Sequence, residues 1–292
     1  MLGSVLTKSA SLWFPVMQSS GLVAAKFCWK LNSSDTKSND LTLPTAFHSK
    51  YGDRLLDTVD MRLRNGYVVP LKLDKSRGVL SGFLVFFLNF ELKGGRGGDL
   101  LVFEYFGQYH INAHILSANG SEMRYPKRVR QIELCYPPLM TLGEDGWRFV
   151  KFQSDFDCNV DEIVSVKSDV CIFKYRKPPA QFLARCEFAL PEEIMYVISN
   201  GKTFHGSYCT AEKKLTGLSQ LCEIVGVSDL SGFEMMLFEY QVPSTLNISI
   251  FDEILNEIIF PGTSLSIGQN LQTFERIESS ERDLNLKHIS EL

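Results

Sequence analysis

The chain has 292 residues, room for two ordinary domains and more than one hydrophobic core usually fills. Its 45% hydrophobic and 22% charged residues exclude wholesale disorder and collagen-like or low-complexity architecture, and no apolar run reaches the ~18 residues of a membrane helix. The formal net charge of −4 averages two unlike halves: residues 1–130 carry 17 Lys and Arg against 10 Asp and Glu, a net +7, and residues 131–292 carry 13 against 24, a net −11. A basic half joined to an acidic one suggests a polyanion-facing module beside something with another task.

In chain order, residues 1–25 read as a disordered leader, without an acid and with Lys8 as their one cation. A short helix is expected after Pro44, from Thr45 to Tyr51. Val59, Met61 and Leu63 then alternate with Asp60, Arg62 and Arg64, the period-2 pattern of a half-buried strand. Asn65-Gly66 has the turn chemistry that ends a strand and opens a hairpin. Leu71/Leu73, Leu100/Val102 and Ile111/Ala113/Ile115 continue the alternation, with turn signals near Gly78, Gly107 and Asn119-Gly120. A second short helix is expected over Phe83 to Asn89, and Gly94-Gly95-Arg96-Gly97-Gly98 is too flexible to be anything but a loop. Residues 127–147 form a basic linker whose Lys127, Arg128 and Arg130 are candidates for nuclear import. Beyond residue 261 the chain reads as a polar, solvated tail, residues 262–292.

Self-similarity organises these elements. A shift of 135 residues carries Asn65-Gly66 onto Asn200-Gly201, Leu80-Ser81-Gly82 onto Leu215-Thr216-Gly217, and Phe103-Glu104-Tyr105 onto Phe238-Glu239-Tyr240. Pro44 and Phe47 meet Pro179 and Phe182 at the same shift, and Pro126 meets Pro261. The chain therefore reads as two β-rich copies, residues 26–126 and 148–261. Many short strands with two helical turns indicate small barrels rather than a solenoid.

The first copy resembles the plant B3 DNA-binding domain, particularly its reproductive-meristem branch. The residues that carry the likeness are Phe27-Cys28-Trp29-Lys30-Leu31, Ser34-Asp35, Leu41-Thr42-Leu43-Pro44 and Phe47, Asn65-Gly66, Leu80-Ser81-Gly82-Phe83 and Phe86, and Gly98 to Glu104. Phe83 stands where many members have Trp, and the glycine-rich loop before Gly98 looks lengthened. The second copy matches only through the repeat and looks degenerate. The resemblance implies a mostly β protein of two seven-stranded open pseudobarrels, each with short α-helices. It further implies two arms that grip the major groove of double-stranded DNA, Lys30 to Lys37 and Lys72 to Arg77.

Lys30, Lys37, Lys72, Lys75 and Arg77 suit phosphates, and Arg77 suits guanine. Asn32 could meet adenine and Ser76 could serve base or phosphate, while Ser33, Ser34 and Thr36 are supplied by the first arm and Asp74 lies within the second. Asp35 is a poor phosphate partner, expected to hold its loop through backbone hydrogen bonds or to accept from cytosine. At the second copy's equivalent positions stand Ser207, Cys209, Thr210, Ala211 and Glu212, so that copy is expected to pack or to bind protein partners through the acidic half.

Catalytic patterns are weak. His110 and His114 share a strand face without a ligand set around them, Asn200-Gly201-Lys202-Thr203 lacks the upstream glycine of a phosphate loop, and Glu104 and Glu239 sit at equivalent positions, which speaks for structure. Seven scattered cysteines read as free thiols. The expectation is a nuclear DNA-binding transcriptional regulator that is not an enzyme and takes no cofactor, metal or small-molecule substrate. The alternative is a scaffold protein whose barrels no longer contact DNA.

Overall fold

The computed structural model describes residues 24–95, 98–105, 110–125, 147–152, 177–186, 190–226, 232–241 and 243–260. The expected import cluster Lys127, Arg128 and Arg130 and the tail lie outside them, as does most of the leader. The leader's last two residues are an exception: Ala24 and Ala25 are buried, and Ala25 already pairs with Tyr105.

In the first unit the alternating segments become β1 (Ala25–Lys30), β2 (Asp40–Thr42), β3 (Thr58–Leu63), β4 (Val68–Asp74), β5 (Val79–Ser81), β6 (Leu100–Tyr105) and β7 (His110–Leu116). They form one seven-stranded sheet in the order β1-β6-β7-β3-β4-β5-β2. Every neighbour is antiparallel except β3 and β7, where Asp60 lies across from His110. Val59, Met61, Leu63, Leu71, Leu73, Ile111, Ala113 and Ile115 point into one core, as their period requires. Helix α1 (Thr45–Tyr51) and helix α2 (Phe83–Asn89) close it with Phe47, Tyr51, Phe83, Phe86 and Phe87. Asn65 accepts the Tyr67 N–H and Gly66 takes φ +81°, the left-handed turn that only glycine adopts without strain.

The second unit repeats this plan with β8 (Arg148–Phe152), α3 (Ala180–Leu183), β9 (Glu193–Ile198), β10 (Thr203–Cys209), β11 (Lys214–Thr216), α4 (Leu221–Val225), β12 (Met235–Gln241) and β13 (Thr245–Phe251). Read from β8, its order matches the first sheet from β1, again with one parallel pair, β9 with β13. Among the described residues it has six strands, because the shift of 135 places a counterpart of β2 at residues 175–177, mostly outside them. Both sheets are curled and open.

One expectation needs correction. The shift is not constant: Phe27 stacks on Phe103 at 4.8 Å, and the residue that stacks on Phe238, at 4.7 Å, is Phe149. Phe27 lies 4.5 Å from Phe47, and Phe149 lies 4.5 Å from Phe182. Phe149 is therefore the counterpart of Phe27, 122 residues on, and the second unit carries an insertion between its first strand and its first helix. Landmarks taken from Pro44 onward cannot reveal it.

A second correction concerns side-chain direction. Leu100 and Val102 do not join the first core; their neighbours Leu101, Phe103 and Tyr105 do. Leu100 and Val102 form a separate cluster with Cys28 and Leu116 of their own unit and Val150, Met235, Leu237 and Phe251 of the other. The strands β1-β6-β7 and β8-β12-β13 thus pack face to face and are buried on both sides.

The seam is stitched by pairs of equivalent contacts. Cys28 N–H donates to Leu255 O, and Val150 N–H donates to Gly120 O. Phe27 bridges to Asn256 and Phe149 to Ser121; Glu257 N–H donates to Lys26 O and Glu122 N–H to Arg148 O. Each unit thereby covers the free edge of the other's first strand, an edge that would otherwise offer unpaired amides. The contacts obey a pseudo-two-fold relation.

Beside the apolar cluster lies a layer of charge. Arg148 reaches Glu104 and Glu239 at 3.2 Å each and Glu122 at 3.8 Å. Glu122 also takes Arg64 Nε at 3.2 Å and the Tyr125 hydroxyl at 2.9 Å. His114 stands between Glu104 at 3.1 Å and Glu122 at 3.3 Å, with Arg148 Nη1 3.2 Å from its Nδ1. On the equivalent side Lys26 meets Glu257 at 3.6 Å and donates to Ser249 Oγ at 3.0 Å. Burial alone would raise the carboxyls, but Arg148 and His114 hold Glu104 well below its usual range, and Arg64 and His114 bring Glu122 down to about 2. Burial and Arg148 oppose the charge on His114, yet the two glutamates raise its pKa. Glu257, poorer in partners, is raised by burial despite Lys26.

Candidate nucleic-acid interface

The two expected arms flank a short exposed strip made by β2, β5 and β4. Leu41, Leu80, Leu71 and Leu73 turn inward, leaving Asp40, Thr42, Lys72 and Asp74 outside. Asp40 lies across from Ser81 and Ser81 from Lys72; Thr42, Val79 and Asp74 form the next outward row. The first loop enters at the Asp40 row and the second turns beyond the Asp74 row. The rows stand about 7 Å apart along the strands. The two loops therefore leave the strip at its opposite ends.

The first loop is tied down locally. Asp35 Oδ2 accepts Trp29 Nε1–H at 3.2 Å and the Asn32 N–H at 2.8 Å, while Asn32 Oδ1 accepts the N–H groups of Ser34 and Asp35. Ser34 Oγ donates to the same Asn32 oxygen. Asp35 is therefore a loop clamp, and the carbonyl of Asn32 is engaged within the loop. Trp29, so far named only among the residues of the family likeness, is the anchor of this clamp. The glycine loop presses on its root: a Cβ on Gly94 would lie 1.9 Å from the Asn32 carbonyl oxygen, so no side chain fits there. Lys37, Asn32, Ser33 and Ser34 are exposed, and Thr36 is half-buried. Lys30 is exposed at the end of β1, but its ammonium sits 4.6 Å from the ring centre of Phe152 in the other unit, at the seam rather than over the strip.

The second loop is a hairpin tip capped by its own aspartate. Asp74 Oδ1 accepts Ser76 Oγ–H at 2.6 Å, Ser76 N–H at 3.0 Å and Arg77 N–H at 3.2 Å. The Ser76 hydroxyl, with the two amides, lowers the Asp74 pKa. Asp74 thus shapes the tip, with its acceptor atom turned into the loop. His48 Nε2–H donates to Lys75 O at 2.8 Å, so α1 braces the tip from behind. Lys75 meets Asp57 at 3.3 Å, an exposed pair worth little and easily exchanged for phosphate. Lys72, Lys75, Ser76 and Arg77 are all exposed.

The second unit keeps the shape of this tip. Lys213 takes φ +54° where Gly78 takes φ +63°, and β10 and β11 pair in the same register as β4 and β5. Its chemistry differs. Glu212 is bound to Lys214 at 2.9 Å, and Ser207 and Thr216 hydrogen-bond to each other across the strip at 2.6 Å. A shallow hollow of about 530 Å³ by Lys202 and Glu223 is open to solvent and carries no cluster of reactive side chains.

His110 and His114 part company in the structure. His114 belongs to the seam, whereas His110 is buried with its pKa lowered to about 3 by burial and Arg62. No group of three or more metal-ligating residues occurs among the described residues, and none of their helices is long and apolar enough to cross a membrane. Cys28 and Cys186 are buried and Cys209 and Cys222 half-buried, all as free thiols.

No family model matches the chain, and no curated protein matches it. Among solved structures, a hypothetical protein of Arabidopsis thaliana is similar over 32% of this chain and 91% of its own, at 18% identity and a TM-score of 0.29. That likeness is too slight to argue fold or function from.

Proposed function

We propose that the chain is a nuclear DNA-binding transcriptional regulator of the plant B3 kind, and that its first unit holds the major groove between the two loops. The mechanism has no chemical step. Lys37, Lys72, Lys75 and Arg77 attract the duplex, Arg77 and the free amide of Asn32 meet base edges, and Asp35 and Asp74 keep the loops in shape. The second unit serves as packing partner and, through its acidic surface, as a site for proteins. The observation that carries this reading is the internal contrast at the hairpin tips: one scaffold appears twice, with Lys75-Ser76-Arg77 on one copy and Thr210-Ala211-Glu212 on the other.

Fluorescence anisotropy of the full chain on a randomised duplex tests it. Affinity should fall by orders of magnitude between ~50 and ~200 mM salt. A Lys75→Ala, Arg77→Ala chain that binds as tightly as the parent would rule out the second loop. A second reading, a scaffold that does not touch DNA, draws on the acids beside the cations: Asp40 and Asp57 offset part of the strip's charge. Failure of the full chain to bind any duplex at low salt would favour it.

A further inference from the structure

The backbone contacts of the seam come in equivalent pairs, as in a two-fold dimer, yet the charges placed on the two members differ. The first unit contributes Lys26, Arg64 and His114 with Glu104 and Glu122. The second contributes Arg148 with Glu239 and Glu257. Where the first unit has Arg64 and His114, the second has Ser199 and Ser249. The geometry points to a pairing surface that takes another unit of the same fold and whose buried charges select the partner: a second unit accepts a first unit and rejects another second unit.

The selection follows from counting. In the observed pair four glutamates face Lys26, Arg64 and Arg148, with His114 between two of the glutamates as a fourth cation. Two second units would bury four glutamates against two copies of Arg148. Arg185 offsets the deficit only in part: it is half-buried on the Trp147 ring, 5.1 Å from its centre, and acts on Glu122 at a distance, with no ion pair to the layer among the described residues. A buried carboxylate without a cation is costly, so like-with-like pairing of second units is disfavoured by the same layer that stabilises the mixed pair. Two first units, by contrast, would set two Lys26, two Arg64 and two His114 against four glutamates, so that no carboxylate lacks a cation. The partner that fits a second unit is thus the first unit of its own chain, whose Arg64 already neutralises its own Glu122 and whose Lys26 is left to meet Glu257.

The test keeps the whole chain until it has folded. A protease site placed within residues 127–146 is cut afterwards, and the products are weighed by native mass spectrometry. The expected result is one complex of the two fragments, with mixed pairs outnumbering pairs of second units by about tenfold or more. Ser199→Arg, which supplies the missing cation, should make second-unit pairs appear. Fragments that separate into monomers or precipitate on cutting would overturn the pairing surface. Second-unit pairs as abundant as mixed ones without Ser199→Arg, or still absent with it, would overturn the charge selection. None of these readouts involves DNA, so they stand apart from the proposed regulator.

Discussion

The two units are most alike where they touch each other and least alike at their hairpin tips. Across the seam, Cys28 with Leu255 repeats as Val150 with Gly120 down to the backbone hydrogen bond. At the tips, β4-β5 and β10-β11 share register and turn, but the cations of one are replaced in the other. The contrast separates two jobs of a sequence. Strand residues that fill a core and a seam fix the architecture, and the few residues on a tip can change without disturbing it. The charge layer is an intermediate case, equivalent in position but unequal in composition.

The strongest way to break the comparison is at that layer. Arg148→Met should strand Glu239, leave Glu104 with His114 as its ion-pair partner and cost about 3–5 kcal/mol in urea unfolding, whereas Lys26→Met, at the equivalent place, should cost less because Lys26 has fewer charged partners. Equal losses would mean that the two sides of the layer are energetically alike. Next come the tips. Lys72→Ala with Arg77→Ala in the full chain should weaken duplex binding at least about tenfold and lower the salt slope by about 2, while Lys213→Ala with Lys214→Ala should change it less than about twofold. Similar losses from both pairs would erase the proposed division between the units.

Acid and alkali probe the layer from opposite sides. Glu104 and Glu122 have pKa values depressed on folding, so their stabilisation is present above the ordinary 4.5 and is lost as pH falls, for Glu122 through about 2. His110, lowered to about 3, also favours the fold above 6.5 and opposes it on the way down. His114 is raised, so its stabilisation is full below 6.5 and fades as pH climbs through its folded value. Urea midpoints should therefore drop on both flanks, and His114→Gln should flatten the alkaline one. An alkaline flank that survives the substitution would show that His114 does not carry it. The smallest effect is expected at Asp74. Counting charge alone, Asp74→Ala should tighten DNA binding; because Asp74 caps the tip, a few-fold weakening is expected in the same anisotropy assay.

Much of the fold was legible because local periods and turns do not depend on distant residues. Thr45–Tyr51 and Phe83–Asn89 are helices as expected, and Asn65-Gly66 is the turn its residues imply. The seam was not legible, for two reasons. Leu100 and Val102 read as core because alternation reports which residues share a face, not what the face meets. The signal lay in Leu100-Leu101-Val102-Phe103 and Met235-Met236-Leu237-Phe238, apolar on both faces and thus buried on both. The charge layer, in turn, draws Lys26, Arg64, Glu104, His114, Glu122, Arg148 and Glu239 from remote parts of the chain, and no spacing connects them. At the loops, Lys72 and Arg77 are exposed as the sequence suggested. Asp74 and Asn32 are drawn into their own turns, which only the hydrogen bonds reveal.

The stitched edges also bear on how the protein is made. Lys26 finds Ser249 across 223 residues of chain, and its strand edge is covered only by residues beyond that. At about 5–20 residues per second, a ribosome needs roughly 10–45 s to synthesise that stretch. Throughout that interval the β1 edge of the nascent first unit lacks its cover, and it gains it when residues 255–257 emerge.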